Sequence, residues 1–253
     1  MSSLDPALLA AARAAVLRAE TVTVLTGAGI SADSGLPTFR GAGGLWRNYR
    51  AQDLATPEAF ARDPRMVWEW YAWRQSLAAE AEPNAGHLAL VELERRLGVD
   101  HFTLVTQNVD GLHRRAGHSR PIELHGSLWR VRCIECGAER ELVEPVLPPL
   151  PPRCEACGGI ERPGVVWFGE GLPEEAFEAA YEASRAADVF LSIGTSGQVH
   201  PAAGLIEIAR SSGRVVIEVN PEATAHASAK RFGLPGPAGE ILPALIRGGL
   251  RPP

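Results

Sequence analysis

Lysine is nearly missing from this chain: of 25 basic residues only Lys230 is not arginine. That bias reads as genome composition and carries no mechanism. No apolar run reaches the length of a bilayer-spanning helix, and the opening Met1-Ser2-Ser3-Leu4-Asp5-Pro6 lacks a basic segment ahead of an apolar one. Those two absences argue against a membrane protein and against an export leader, leaving a soluble cytoplasmic protein with no membrane partner as the expectation. An excess of positive charge is also lacking. The net charge of −5 and pI near 5.8 argue against non-specific binding to nucleic acid. No internal repeat is present. Hydrophobic residues at 45% and charged residues at 22% exclude extended disorder, and 253 residues suffice for one large core with a small satellite.

What is present begins with an apolar strand, Val22-Thr23-Val24-Leu25, running into Thr26-Gly27-Ala28-Gly29-Ile30-Ser31-Ala32. Gly27 and Gly29 would let the backbone turn tightly and approach phosphate oxygens closely. Ala32 stands where a third small residue lets a following helix pack on a sheet, completing Gly-x-Gly-x-x-Ala. Alone, the pattern fits an ordinary glycine-rich turn equally well, since glycine recurs wherever φ is positive. Its first functional implication is a nicotinamide-dependent dehydrogenase.

The order of predicted elements gives the fold class. Asp5 and Pro6 cap a helix with Leu8, Leu9, Ala12, Val16 and Ala19 on one face. After Gly41-Ala42-Gly43-Gly44, cap-plus-proline starts occur at Thr56-Pro57 and Asp63-Pro64, the second opening a helix to about Glu80 that carries Trp68, Trp70, Tyr71, Trp73 and Arg74. Asn84 caps a helix to Arg96. Strands are expected at 102–106, 122–124, 165–168, 189–193 and 215–219, and helices at 173–187, 201–211 and 240–246. This alternation indicates an α/β protein, a doubly wound Rossmann-like parallel sheet, with a helical insertion and a small zinc-ribbon module. The expected division of the single domain, 1–253, is a large part at 1–40, 82–130 and 164–253 and a small part at 41–81 and 131–163. Polar residues collect just past apolar strands, at Gln107, Asn108 and Asp110 and at His125, where open parallel sheets bind ligands.

All four cysteines fall in Cys133-x2-Cys136-x17-Cys154-x2-Cys157, the spacing of a tetrahedral zinc site, with Gly137 and Gly158 where each knuckle turns. Four thiolates leave no open coordination position, so the ion would be structural. A redox dithiol fits less well, because two Cys-x-x-Cys motifs occur together and neither opens a helix after a strand. Pro148-Pro149-Leu150-Pro151-Pro152 reads as a stiff connector between them.

Gly27-Ala28-Gly29-Ile30-Ser31, Pro37-Thr38-Phe39-Arg40, the run Thr106 to His113, His125-Gly126, the four cysteines, Val165 to Glu170, Gly194-Thr195-Ser196 and Val219-Asn220-Pro221 occur in this order. Together they resemble the sirtuins, NAD-dependent protein-lysine deacylases, over nearly the whole chain. The resemblance implies that NAD is a co-substrate bound in the sheet crevice, its nicotinamide half under the loop from Ala32 to Arg40. It implies cofactor contacts from Gly27, Ala28, Gly29, Ile30, Ser31, Ala32, Pro37, Thr38, Phe39, Arg40, Trp46, Gln107, Asn108, Asp110 and His125. Further contacts would come from Gly194, Thr195, Ser196, Asn220, Pro221 and Glu222. His125 would be the general base, with a pKa near working pH that suits it to activating a ribose hydroxyl. The amides and carboxylate would orient the nicotinamide carboxamide and stabilise the charge that develops as it leaves. Val166 and Phe168 would hold an acyl-lysine peptide by strand addition. Relatives often carry Gly-x-Cys near the last helix; here Gly236-Pro237-Ala238 stands instead, keeping Ala238 as a backbone cofactor contact.

Tyr71 and Arg74, three apart on the tryptophan-rich helix, share a face. In isolation they are an aromatic and a snorkelling arginine on a packed helix. Within the resemblance they look like the pair that marks the subgroup preferring succinyl and malonyl to acetyl, guanidinium taking the distal carboxylate bidentately while the phenol adds a hydrogen bond. The expected form is a monomer acting on acyl-lysine proteins. Competing readings are mono-ADP-ribosyl transfer, a dehydrogenase, and a zinc-ribbon module for nucleic acid. The dehydrogenase reading lacks an acidic residue at the end of a second strand about 20 residues past the glycine loop. The nucleic-acid reading is opposed by glutamates interleaved with Arg130, Arg132, Arg140, Arg153 and Arg162.

Overall fold

A computed structural model describes residues 5–38, 46–223 and 226–247. In chain order they form α1 (Pro6–Arg18), β1 (Val22–Thr26), a 3-10 segment (Ala28–Ser34), α2 (Ala51–Leu54), α3 (Pro57–Arg62), α4 (Pro64–Glu80), α5 (Ala85–Leu97) and β2 (Phe102–Thr106). Next come α6 (Leu112–Ala116), β3 (Ile122–Glu123), β4 (Gly126–Cys133), β5 (Glu139–Glu141) and β6 (Glu161–Val165). The chain ends with α7 (Glu174–Ala186), β7 (Val189–Ile193), α8 (Gly204–Ser211), β8 (Val215–Asn220), β9 (His226–Ala227), β10 (Arg231–Pro235) and α9 (Ala238–Arg247).

The predicted caps form. Asp5 accepts from the Ala7 amide at 2.8 Å, Thr56 from Ala59 at 3.0 Å and Asp63 from Met66 at 2.9 Å, each with proline in the first turn. Each cap satisfies an amide that the helix itself leaves unpaired.

Seven strands make the main sheet in the order β3-β2-β1-β7-β8-β10-β9. All neighbours pair in parallel except β9, which folds back antiparallel on β10. Every residue of β1 and β7 is buried, because helices cover both faces. One face packs Leu9, Val16, Leu90, Leu93, Leu242 and Leu245 from α1, α5 and α9 against the sheet. The opposite face packs Ala180, Leu205 and Ala209 from α7 and α8 against Leu25, Val105 and Phe190. The α/β, doubly wound reading therefore holds.

A second, antiparallel sheet of order β5-β4-β6 carries the cysteines. It shares a core with the helical insertion, where Trp68, Trp70 and Tyr71 meet Leu128, Val131 and Trp167. Hydrogen bonds seal that contact: Trp68 Nε1 donates to the Glu161 carbonyl at 2.7 Å, Gln75 Nε2 to Leu128 at 2.7 Å, and the Val146 amide to Gln75 Oε1 at 2.9 Å.

The strand expected at 165–168 is displaced: β6 is Glu161–Val165 and belongs to the second sheet. Pro163 and Gly164 hide it in the sequence. They are tolerated because β6 is an edge strand, so the missing Pro163 amide costs no ladder bond on its open side. β10, Arg-Phe-Gly-Leu-Pro, was concealed in the same way and pairs fully only with β8. Among the described residues no helix is long and apolar enough to cross a membrane.

Candidate active site

The connection leaving the carboxyl end of β1 runs to β2 on one side and that leaving β7 runs to β8 on the other, the switch point at which such sheets open a crevice for nucleotides. Glycines govern how closely those ends approach. A Cβ on Gly27 would lie 2.8 Å from the Gly194 carbonyl oxygen, one on Gly29 2.6 Å from Gly194 Cα, and one on Gly194 2.4 Å from the Ile30 nitrogen. The Gly29 amide donates to the Gly194 carbonyl at 2.9 Å. Gly27 is extended, with φ −127°, so close approach and not positive φ explains it.

The helix expected after this loop is a 3-10 segment, and Ala32 on it is exposed. Ala32 therefore does not act as the small residue beneath a helix packed on the sheet; the segment buries Ile30 and Ser31 instead. Two residues that carried no motif hold it in place. Asn84 Nδ2 donates to the Ile30 carbonyl at 2.8 Å and to Ser34 Oγ at 2.9 Å, while Asp33 accepts from the Gly239 amide at 2.9 Å, at the start of α9. Ala28 and Gly29 are half-buried, as are Pro37 and Thr38; Phe39 and Arg40 lie outside the described residues.

Past β2 the polar residues converge. Ser31 Oγ donates to Asp110 Oδ2 at 2.8 Å and receives Asn108 Nδ2 at 3.2 Å. Asp110 Oδ1 accepts from the Leu112 amide at 2.9 Å, so this buried carboxylate ties the first residue of α6 to Ser31. Burial pushes its pKa up, opposed by those hydrogen bonds and by the Arg74 cation. Gln107 Nε2 donates to Thr195 Oγ1 at 2.9 Å, and Asn220 Nδ2 to the Thr195 carbonyl at 2.8 Å, linking the ends of β2, β7 and β8. Ser196 is half-buried and Ala238 buried, whereas Pro221 and Glu222 are exposed.

His125 follows β3. Its Nδ1 lies 3.0 Å from the Gln107 carbonyl, which can only accept, so Nδ1 carries the proton and Nε2 keeps its lone pair. Burial lowers its pKa, so the imidazole is a neutral base at working pH. Those are the requirements of a general base.

Beneath this loop lies a buried histidine cluster. His113 Nε2 meets Thr26 Oγ1 at 2.9 Å, Thr26 meets Thr106 Oγ1 at 2.8 Å, and Thr106 accepts the Asn108 amide at 3.0 Å. His113 thus supports the Asn108 loop, as its position in the motif suggests. The His87 and His118 rings pack 4.9 Å and 5.3 Å from it, and Glu94 holds His118. Burial lowers all three histidine pKa values, that of His87 to about 4. Against an ordinary value near 6.5, the unfolded chain binds protons that the fold refuses. Stability should be full above about pH 6.5 and fall as pH drops toward 4, by roughly 3 kcal/mol from His87 alone. Urea unfolding at pH 7.5 and pH 5 checks this; equal stabilities at both would refute it.

On α4, Tyr71 is buried, its hydroxyl 2.9 Å from Trp167 Nε1. Arg74 is half-buried, with Cζ 4.9 Å from the Trp70 ring centre and 5.5 Å from that of Tyr71. Burial lowers its pKa, and Tyr71 and the Asp110 carboxylate oppose that shift. Val166 is half-buried and Phe168 exposed, the Val166 amide bonding to the His125 carbonyl at 2.9 Å. Trp46 is buried and pairs with Tyr49.

The four cysteine sulfurs lie within 4.8 Å of one another, with Cys133 and Cys157 3.5 Å apart and Cys136 and Cys154 3.7 Å. Zinc bonded to sulfur at about 2.3 Å in a tetrahedron places sulfurs about 3.8 Å apart. The amides of Glu135 and Cys136 point at Cys133 Sγ and that of Gly159 at Cys157 Sγ, at 3.4 to 3.5 Å, which steadies thiolate charge. The donor set fits a closed, structural zinc site. Of the nearby arginines, Arg140 and Arg162 are paired to Glu161 and Glu170.

The Sir2 family profile matches residues 27–201. This chain belongs to the Sir2 family. Of its relatives, the NAD-dependent protein deacylase of Aquifex aeolicus (strain VF5) is 58% identical over 80% of this chain and 84% of its own. Among solved structures, a Sir2 homolog in complex with NAD superposes with a TM-score of 0.86 at 45% identity, covering 96% of this chain and 93% of that one. Another Sir2 protein, Sir2Af2 bound to a myristoylated histone peptide, gives 0.74 at 31% identity over 96% and 97%.

Proposed function

We propose that this Sir2-family chain is an NAD-consuming protein-lysine deacylase that favours succinyl and malonyl over acetyl groups, releasing nicotinamide, O-acyl-ADP-ribose and free lysine. The observation that carries the reading is an oriented His125 bonded to the Gln107 carbonyl, at the start of the loop whose Asn108 and Asp110 interlock with Ser31, with the Arg74 cation lowering the Asp110 pKa. Gln107, Asn108 and Asp110 orient the nicotinamide end, the glycine loop and Gly194 to Ser196 approach phosphate and ribose, and His125 takes a ribose hydroxyl proton through Nε2. The four thiolates hold zinc, which supplies folding energy to the small part. NAD lies between the large part, 1–40, 82–130 and 164–253, and the small part, 41–81 and 131–163, of a cytoplasmic monomer. The relatives named as NAD-dependent deacylases, and the relative solved with an acylated peptide, support this reaction class. A dehydrogenase reading finds no support at the end of β2, where Gln107 stands and not an acidic residue.

The test is incubation with NAD and otherwise identical acetyl-, malonyl-, succinyl- and glutaryl-lysine peptides, followed by mass analysis. One nicotinamide should appear for each acyl group removed, with succinyl and malonyl turned over at least about 30-fold more efficiently than acetyl. Accumulating NADH absorbance, or ADP-ribose retained on the peptide, would overturn the reaction class. Equal turnover of acetyl and succinyl would overturn the acyl assignment alone.

A further inference from the structure

Trp167 sits inside the Val165 to Glu170 motif, and no role above uses its side chain. It is buried, and its indole Nε1 lies 2.9 Å from the Tyr71 hydroxyl. An indole N–H can only donate, so the Tyr71 oxygen accepts in this contact and must offer its own proton elsewhere. Arg74 bears on that hydroxyl too and is likewise a donor without acceptor capacity, while the nearby Glu170 carboxylate is taken by Arg162 and the Trp167 amide. Burial pushes the Tyr71 phenol up to about 12, so the proton stays on the oxygen at working pH. A neutral hydroxyl with two donors against it is primed for an anionic acceptor supplied from outside the fold.

The indole cannot easily turn away. Arg162 lies flat against it, Cζ 3.4 Å from the ring centre, and is itself held by Glu170 at 2.6 Å and 2.9 Å and by the Val165 carbonyl at 3.0 Å. The Trp167 amide donates to Glu170 at 2.8 Å, and the Phe60 ring packs 5.2 Å away. A continuous frame therefore runs from Glu170 through Arg162 and Trp167 to Tyr71.

We propose that Trp167 is a positioning residue for acyl choice: by donating to the Tyr71 oxygen it aims the Tyr71 O–H at the carboxylate of an acidic acyl group. This rests on the acidic-acyl reading above. A ring that merely filled space would affect every acyl substrate alike, whereas a hydrogen-bond donor acting through Tyr71 affects only those bearing a carboxylate.

The experiment measures kcat and KM for succinyl- and acetyl-lysine peptides with wild type, W167F, Y71F and the double variant. W167F should lower the succinyl to acetyl ratio of kcat/KM about 10-fold, as loss of one well-aimed hydrogen bond to a charged group does, and chiefly through the succinyl KM. Y71F should do the same, and the double variant should be no worse than Y71F alone, since both act on one bond. Should W167F fold poorly, benzothienylalanine at position 167 keeps the two fused rings, lacks only the N–H, and should give the same ratio. If wild type shows no succinyl preference, the underlying reading fails. If wild type prefers succinyl and Y71F loses that preference while W167F or the benzothienyl variant retains it, or if the two substrates lose equally, the role of Trp167 is overturned.

Discussion

His125→Ala should lower deacylation about 1,000-fold, in the middle of the range for a lost general base, while leaving exchange of free nicotinamide into NAD largely intact. The two observables separate because the imidazole enters late. In the proposed reaction departure of nicotinamide depends on Gln107, Asn108 and Asp110; the substitution removes one contact to the Gln107 carbonyl and leaves the bonds of the Gln107 side chain, Asn108 and Asp110 to Thr195, Ser31 and Leu112 in place. Proton removal from the ribose hydroxyl depends on Nε2. Labelled-nicotinamide exchange and mass analysis of acyl products, run on the same preparation with an acyl-lysine peptide, give the comparison. Loss of both in parallel would mean that His125 serves binding and not proton transfer. Because burial lowers the His125 pKa, the base stays neutral to below the ordinary value near 6.5, and the acid limb of the wild-type profile should fall at correspondingly low pH.

The residues that face the crevice were legible in sequence because they sit at strand ends within short local motifs. Gln107, Asn108 and Asp110 follow β2 directly, His125 closes β3 and Gly194 closes β7. The zinc site was legible because chelation fixes the spacing of each knuckle. What escaped notice depends on chain segments far apart. Asp33 reaches the start of α9 and Asn84 reaches back to Ile30 and Ser34, and neither pairing has a local signature beyond an ordinary cap. Gln75, one residue beyond Arg74, fastens α4 to Leu128 and Val146, so Tyr71 and Arg74 are mounted on the cysteine-bearing part of the molecule. β6 and β10 escaped for a different reason. Their prolines and glycines argue against strands, and only edge position or one-sided pairing makes them acceptable. Glycine meaning was legible in kind but not in cause: Gly27 and Gly29 were expected for approach to phosphate, and the close neighbour they meet is Gly194.

Arg74→Met should reduce kcat/KM for succinyl and malonyl peptides by about 30-fold or more, and for acetyl peptides far less. Methionine keeps an unbranched apolar stem, and its thioether can rest against the Trp70 and Tyr71 rings that the guanidinium covers, so the charge is lost while the space stays filled. An acyl carboxylate brought into that pocket would then be desolvated without its cation, a cost of roughly 2 to 4 kcal/mol. An acetyl group brings no charge and escapes that cost. One indirect effect has to be separated. Asp110 is pushed up by burial and down by Arg74, so removing the guanidinium raises the Asp110 pKa and moves any loss of its ionised form to higher pH for every substrate. Assays of both substrates at a single pH, pH 8, carry that indirect effect equally, so the succinyl to acetyl ratio isolates the acyl contribution. Arg74→Lys restores a point charge without the planar fork and should recover only part of the succinyl activity. Equal loss of desuccinylation and deacetylation at pH 8 would show that Arg74 supports the crevice through Asp110 and does not read the acyl group.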